Sequence, residues 1–308
     1  MQKFTKPILF FVAGIVTTLI IVIGFSFKKA DDKEETVKVN KDGKLQYKWS
    51  APELPKSLSF AGERVPLDHP DVHESLDREL LLNYYNQYNT IYVLKLAERY
   101  FPVIEPILKD NGVPEDFKFL CIAESSLQNL TSRAGAIGLW QFMKDTAPQY
   151  GLEVNDEVDE RYNIEKSTEA ACRYFKKAKE KFGSWTSAAA SYNMGMTGFA
   201  NQVNYQEENN YYNLLLSDET MRYVFRILSY KVIVSNPEDY GFFVDKHEVY
   251  KPLKTKKITV TNTIEDMQEF AKSKGINYRK LKQLNPWLRD HRLTVHSGKS
   301  YEILLPKD

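Results

Sequence analysis

Cysteine is nearly absent: Cys121 and Cys172 are the only two in 308 residues. Two cysteines cannot build the disulfide framework of a small secreted scaffold, nor a cysteine-rich metal cluster. Both stand beside apolar residues in stretches of helical pattern and read as buried thiols, with a disulfide between them left open. Net charge is lacking too. The 42 Lys and Arg against 41 Asp and Glu leave +1, so the charge balance does not point to nucleic acid as a partner. No group of His, Cys and Asp has metal-ligand spacing, so no metal and no cofactor is expected. No long tandem repeat is visible. What remains is ordinary for a globular chain, 43% hydrophobic and 27% charged, with room for one large domain and one small one. Aromatics make up 13%, with 19 Tyr and 17 Phe. Most of these serve a core, although flat aromatic faces also suit carbohydrate.

The one long apolar run is at the start. Pro7 to Phe27 carries no charge, and at about 1.5 Å per residue it can cross a hydrocarbon core of about 30 Å. It is longer than the apolar stretch of a cleavable leader, and no small-residue cleavage site follows. Residues 1–30 are therefore expected to be an uncleaved signal anchor, a transmembrane helix. Lys3 and Lys6 precede the span, while Lys28, Lys29 and Lys33 follow it, so lysine counting alone does not orient it. Residues 31–74 are polar and charged at first and then carry scattered Pro, the character of a juxtamembrane linker and lead-in.

From residue 75 to about 250 the pattern is mostly helical. Leu80, Leu81, Tyr84, Tyr85 and Tyr88 recur at helical spacing, as do Val93, Leu96, Ala97 and Tyr100. Pro102, Pro106 and Pro114 are expected to punctuate helix starts and loops. Phe117 to Ser126 reads as a short buried helix. Residues 167–182 read as an amphipathic helix with Ala170, Ala171, Tyr174, Phe175 and Ala178 inward. Asn236-Pro237 closes the last helices. From residue 254 to 308 the character changes. A strand-like Ile258 to Thr263, two helix-like stretches (Glu265 to Ser273 and Tyr278 to Leu284) and a strand-like Tyr301 to Pro306 spell a small βααβ module.

Three short blocks carry the chemistry. In Cys121-Ile122-Ala123-Glu124-Ser125-Ser126, a carboxylate follows an apolar run. Such a group must be paired, protonated or exposed in a cleft. In a poorly solvated cleft its pKa rises, the condition for a general acid at neutral pH. The bland alternative is a Glu on the wet edge of an amphipathic helix. In Gly135-Ala136-Ile137-Gly138-Leu139-Trp140-Gln141-Phe142-Met143, two glycines allow a tight turn before a surface of apolar groups and one amide. Ser191-Tyr192-Asn193-Met194-Gly195 puts polar donors at a helix end, which can also be a simple C-cap signal.

Together these blocks resemble the lytic transglycosylase (SLT, goose-lysozyme-like) family. The matches are Glu124-Ser125, Ser132 through Met143, and Tyr192-Asn193 with Gly195. The segments Val158-Asp159-Glu160-Arg161 with Ser167-Thr168, and Glu219-Thr220 with Arg222-Tyr223-Val224, agree in order and spacing. Lys144 and Ser191 stand where proline and alanine are common. The arrangement is most similar to the membrane-bound type D branch, because residues 255–306 resemble a LysM module. That second match rests on Val260, Phe270-Ala271, Gly275-Ile276, Leu281, Leu284-Asn285-Pro286, Gly298 and Ile303 to Pro306, with Asn262-Thr263-Ile264 in place of the usual Gly-Asp-Thr.

The resemblance implies a mainly α, lysozyme-like catalytic domain, an N-terminal transmembrane helix and a LysM-like βααβ end. It implies a peptidoglycan-cleaving lyase anchored in the inner membrane of a bacterial envelope and facing the periplasm. Glu124 would act first as acid and then as base. Ser125, Gln141 and Met143 would line the sugar groove, Tyr192 and Asn193 would contact substrate near the cut, and Tyr223 would orient Glu124. Arg161 is expected in a structural pair. No second acid lies in the three blocks that carry the chemistry; Asp156, Glu157, Asp159 and Glu160 are expected in a solvated loop. A one-carboxylate route is therefore favoured over the two-carboxylate scheme of ordinary glycosidases. The alternatives are a muramidase that hydrolyses the same bond and a silent glycan-binding envelope protein.

Overall fold

The computed structural model describes residues 49–307, together with Gly43 and the strand residues 37–39 and 45–47. The expected membrane helix at residues 1–30 lies outside the described residues. Among those described, no helix is long and apolar enough to cross a membrane. The chain falls into two compact units that part after Ala51. In the first, β1 (Val37–Val39) pairs antiparallel with β2 (Leu45–Tyr47).

The second unit is mainly helical and opens on a two-residue hairpin, β3 (Ser59–Phe60) and β4 (Glu63–Arg64). Phe60, Val65 and Val72 from this lead-in are buried in the same core as the helices that follow, so the helical body takes in residues before 75. The apolar spacing expected to run as one helix through Tyr88 is divided in two. α1 (Pro70–Tyr85) ends at Asn86 and α2 (Gln87–Asp110) restarts at once. The Thr90 hydroxyl donates to the Asn83 carbonyl at 2.7 Å across the break, supplying a partner where the helical ladder is interrupted. Pro102 and Pro106 do not start helices, contrary to expectation. Both lie inside α2. They are four residues apart on its exposed face, where carbonyls left without an N–H partner can bond to water.

α3 (Phe117–Ser125) is apolar over most of its surface, with Phe117, Phe119, Leu120, Cys121 and Ile122 buried and Lys118 paired with Glu105 and Glu115 at one side. That is the signature of a helix surrounded by protein. The Phe117 ring lies 4.2 Å from Phe175, 5.2 Å from Phe60 and 5.5 Å from Trp185. Around α3 stand α2, α4 (Ile164–Phe182), α5 (Trp185–Met194) and α7 (Asp218–Ser235), with α6 (Met196–Gln206) following α5. α4 buries Ala170, Ala171, Tyr174, Phe175 and Ala178, the face read from the sequence. α7 ends at Ser235 before Asn236-Pro237. Cys121 and Cys172 are both buried and free, so the disulfide left open does not form.

The C-terminal module pairs β5 (Thr255–Val260) antiparallel with β6 (Tyr301–Pro306), in register from Thr255 with Pro306 to Val260 with Tyr301. α8 (Met267–Ser273) and α9 (Tyr278–Leu284) lie between the strands in sequence. Tyr301, Ile303 and Leu305 alternate inward along β6, onto Met267, Ala271, Leu281, Trp287 and Leu293. Asn285 is fully buried. Its amide donates to the Leu281 and Leu304 carbonyls and accepts from the Leu304 N–H at 2.7 Å, tying α9 to β6.

Glu63 in the β3–β4 hairpin reaches the start of α5. Its carboxylate accepts from the Trp185 and Thr186 N–H groups at 2.6 and 2.8 Å, from the Thr186 hydroxyl and from Lys179. Burial pushes this carboxyl up, but the four donors outweigh it and hold the pKa below the usual value. Glu63→Ala strands two helix-terminal N–H groups. Urea denaturation should show a loss of about 1.5–3 kcal/mol. The loss should shrink as pH falls through the lowered folded pKa, because protonated Glu63 holds these donors less well.

Candidate active site

Glu124 sits in the last turn of α3, where the buried run ends. The two residues that follow α3, Ser126 and Leu127, take left-handed backbone angles (φ 51° and 57°) without being glycine. Such positions cost energy and persist only where the surroundings enforce them. Here the buried Leu127 side chain anchors the turn. Glu124 is half-buried. The Tyr223 hydroxyl, from the first half of α7 and itself 1% exposed, donates to Glu124 Oε1. Burial pushes the Glu124 pKa up to about 7, with the Tyr223 hydrogen bond and the Arg226 charge pulling against it. The carboxyl is therefore half-protonated near neutrality. The Tyr223 phenol, desolvated beside that carboxyl, is pushed well above its usual range and stays a donor.

Tyr223 is flanked by a network that sequence reasoning missed. Glu79, 2% exposed on α1, accepts from Arg222 Nε at 2.7 Å and lies 3.7 Å from Arg226 Nε. Arg226 also pairs with Glu219 at 3.0 Å. A signal was present: Glu79 interrupts the apolar stripe Val72, Leu76, Leu80, and a charge on a buried stripe demands a partner.

The glycine-containing block folds as a tight loop against α3. Ile137 and Phe142 exchange N–H···O bonds at 3.0 and 3.1 Å. Gly138 (φ 85°) passes so close to the Arg161 carbonyl that a Cβ would lie 2.0 Å from it, so glycine is required here. Gln141 takes φ 51° and uses its NH2 on the Gly138 and Leu130 carbonyls at 2.7 and 3.2 Å. Its carbonyl oxygen is left as the end able to accept. Trp140 is fully buried and donates to Thr168 Oγ1 at 2.8 Å. Met143, expected at the groove, is 43% exposed. Ser125, also expected there, is instead buried. Its hydroxyl donates to the Leu139 carbonyl at 2.8 Å, with the Cys121 carbonyl at 3.2 Å as the other acceptor. It joins α3 to the loop.

Tyr192 and Asn193 end α5. The Tyr192 hydroxyl donates to the Trp140 carbonyl at 2.6 Å, and its ring packs 4.9 Å from Tyr174 and 5.0 Å from Phe175. Burial, then the nearby Glu124 charge, push its phenol far up. Asn193 Oδ1 accepts from Thr220 Oγ1 at 2.9 Å, leaving the amide NH2 as the end able to donate. Glu124, Tyr192 and Tyr223 thus meet from three helices. Gln141 and Met143 lie in the loop that the Ser125 hydroxyl ties to α3.

The charged run after Leu152 is not the solvated loop expected. Asp156 is exposed, but Asp159 and Glu160 are buried. Asp159 holds Arg161 in a two-pronged pair at 2.7 and 2.9 Å, both side chains nearly inaccessible. Glu160 accepts from the Glu153 N–H and pairs with Lys166. Arg161 Nη1 reaches the Gly135 and Phe142 carbonyls at 3.3 and 3.2 Å. Its structural pairing is as expected. That it braces the glycine loop was not legible.

A helical body with one desolvated carboxyl at the end of a buried helix, faced by two tyrosines and a glycine-turned loop, is the class of site seen here. Residues 101–215 match the Transglycosylase SLT domain family, and residues 256–308 match the Soluble lytic transglycosylase C-terminal LysM-like domain. The chain thus carries an SLT transglycosylase domain followed by a LysM-like domain. It is 27% identical over 256 residues to membrane-bound lytic murein transglycosylase D of Escherichia coli K12, and equally to that of Escherichia coli O6:H1. Those matches take in 81% of this chain and 55% of each relative, so the chain spans about half the length of the curated relatives it matches. Tyr223 and Arg226 lie beyond the family match and come to the site through α7.

The raised pKa of Glu124 has a sign that stability measurements can check. A carboxyl titrating near 7 folded and near 4.5 unfolded contributes stability that is full below the unfolded value and lost as pH rises through 7. Glu124→Gln should therefore melt higher than the parent at pH 8, by about 2–4 °C for each kcal/mol relieved. The two melting curves should converge by pH 4. Equal melting temperatures at pH 8 would contradict a desolvated carboxyl.

Proposed function

We propose that this chain cuts the glycan strands of peptidoglycan at the β-1,4 bond between MurNAc and GlcNAc, leaving 1,6-anhydroMurNAc ends. The observation that carries the reading is the Glu124 carboxyl at the end of a buried helix, held by the Tyr223 hydroxyl, with Glu157, Asp159 and Glu160 turned to structural duty. Protonated Glu124 donates to the bridging oxygen as the C1–O bond breaks and an oxocarbenium-like state forms. The resulting carboxylate then takes the proton from the C6 hydroxyl of MurNAc while that oxygen bonds to C1. The proton lost in the first step is regained in the second, and no water is consumed.

The remaining groups have stated parts in this reading. Tyr223 orients Glu124 and steadies its ionised form. The Gln141 carbonyl and the Asn193 amide offer an acceptor and a donor to sugar substituents, and Met143 gives apolar surface. Tyr192 shapes the floor through the Trp140 carbonyl. Ser125 holds the loop to α3. The relatives are named as membrane-bound. Together with the apolar run at residues 7–27, that supports an inner-membrane anchor and a periplasmic catalytic domain. Peptidoglycan is the partner proposed.

Purified peptidoglycan digested by the protein should release muropeptides lighter by one water than hydrolysed ends, as read by mass spectrometry. Reducing ends alone would identify a muramidase instead. Glu124→Gln should lower kcat by about 10²–10⁴-fold; unchanged turnover would remove Glu124 from the mechanism. Because the acid must carry its proton, kcat/KM should fall as pH rises through about 7. Tyr223→Phe deletes a bond that lowers the Glu124 pKa, so it should move that alkaline limb to higher pH.

A further inference from the structure

The segment from Glu153 to Tyr162 belongs to two bodies at once. Val158 is 1% exposed, yet its side chain is buried in the core of the C-terminal module, with Ile264, Met267, Trp287, Leu288 and Leu293. Its backbone bridges to Leu288, and the flanking bonds run from Asp159 N to the Trp287 carbonyl at 2.9 Å and from Arg289 N to the Glu157 carbonyl at 2.8 Å. The Glu157 carboxylate accepts from the Thr294 N–H at 2.6 Å and the Thr294 hydroxyl at 2.9 Å, with Arg292 at 3.3 Å. The Arg289 guanidinium lies 4.3 Å from the centre of the Tyr162 ring. One residue after Val158, the chain turns back to the proposed active site. Asp159 clamps Arg161, and Arg161 holds the Gly135 and Phe142 carbonyls at both ends of the glycine loop. The Tyr162 carbonyl accepts from Asn129, on the strained turn after Glu124.

We infer that Glu157 and Val158 are positioning residues for glycan cleavage: by locking the segment into the C-terminal module, they set the Asp159–Arg161 clamp that holds the Gly135–Phe142 loop beside Glu124. The module is then a working part of the catalytic body. The loops flanking Ile264 and Leu288–Val295 are committed to that body, because Ile264 pairs with Leu293, and Val295 with Thr263, around the Glu157 anchor. A loop displaced by about 1 Å costs up to about 100-fold in rate, while remote contacts along the glycan keep binding.

The inference rests on the cleavage reading above, and its test separates the two. Full-length Val158→Asp puts a charge into the module core. Thr294→Ala, a milder change from the module side, removes the hydroxyl bonded to Glu157. Both should lower kcat on peptidoglycan, by about 10–100-fold for Val158→Asp and less for Thr294→Ala, with KM within about twofold. The alkaline limb near pH 7 should not move, because Tyr223 and Arg226 lie on α7. Amide hydrogen exchange should quicken at Asp159, Ile137 and Phe142 and stay slow at Leu120 and Ile122. Val158→Ile should restore both readouts. Unchanged kcat with a fast Asp159 amide would overturn the inference, as would a fall in kcat with exchange quickened equally throughout α3. If the parent protein releases no fragments at all, the cleavage reading fails, and Ile137 and Phe142 exchange alone decides the coupling.

Discussion

A carboxyl group at the end of an apolar helix is held in tension with its surroundings. Desolvation favours the proton, a phenol hydrogen bond favours the charge, and the balance for Glu124 falls near neutrality. The remainder of the helical body maintains that balance. α3 is packed against its neighbours along most of its surface, so the half-buried carboxyl at its end has little room to move. Tyr223 is buried on α7, so its hydroxyl cannot swing away. Arg226 supplies a positive charge that is itself restrained by Glu219 and Glu79. Those two carboxylates share the Arg226 charge, which lowers the Glu124 pKa only in part against burial.

Local strain gathers around the same point. Ser126, Leu127 and Gln141 are three of the non-glycine residues with positive φ, and all border Glu124 or the loop beside it. Gly138 is pressed against the Arg161 carbonyl. Each contortion is held by a partner: the Leu127 side chain in the core, the Gln141 amide on the Gly138 and Leu130 carbonyls, and Arg161 clamped by Asp159. Backbone of this kind keeps its shape because the packing behind it permits no other. The docked C-terminal module is part of that packing, through Val158.

Much of the design was legible. The buried face of α4, the short helix at 117–125, the close at Asn236-Pro237 and the order of the βααβ module follow from periodicity and from turn residues. Glu124 was conspicuous because charge is rare after so apolar a run. Other features were hidden because they depend on partners far away in the chain. The break at Asn86 interrupts a continuous apolar pattern. Pro102 and Pro106 are tolerated within a helix because they face water, a matter of orientation that the residue names do not carry. Asp159 and Glu160 read as solvated charges, since burial of a charge is decided by the group that meets it.

What the sequence determined by itself was therefore local: which stretches are helices, which residues are apolar, and that one carboxyl ends an apolar segment in a family-like order of motifs. What only the tertiary structure decided was which charges are buried and against whom. Tyr223 is 99 positions from Glu124, Arg222 is 143 from Glu79, and Thr294 is 137 from Glu157. Electrostatic tuning and loop bracing are sums over neighbours in space, and contacts of such separation exist only once the chain has packed.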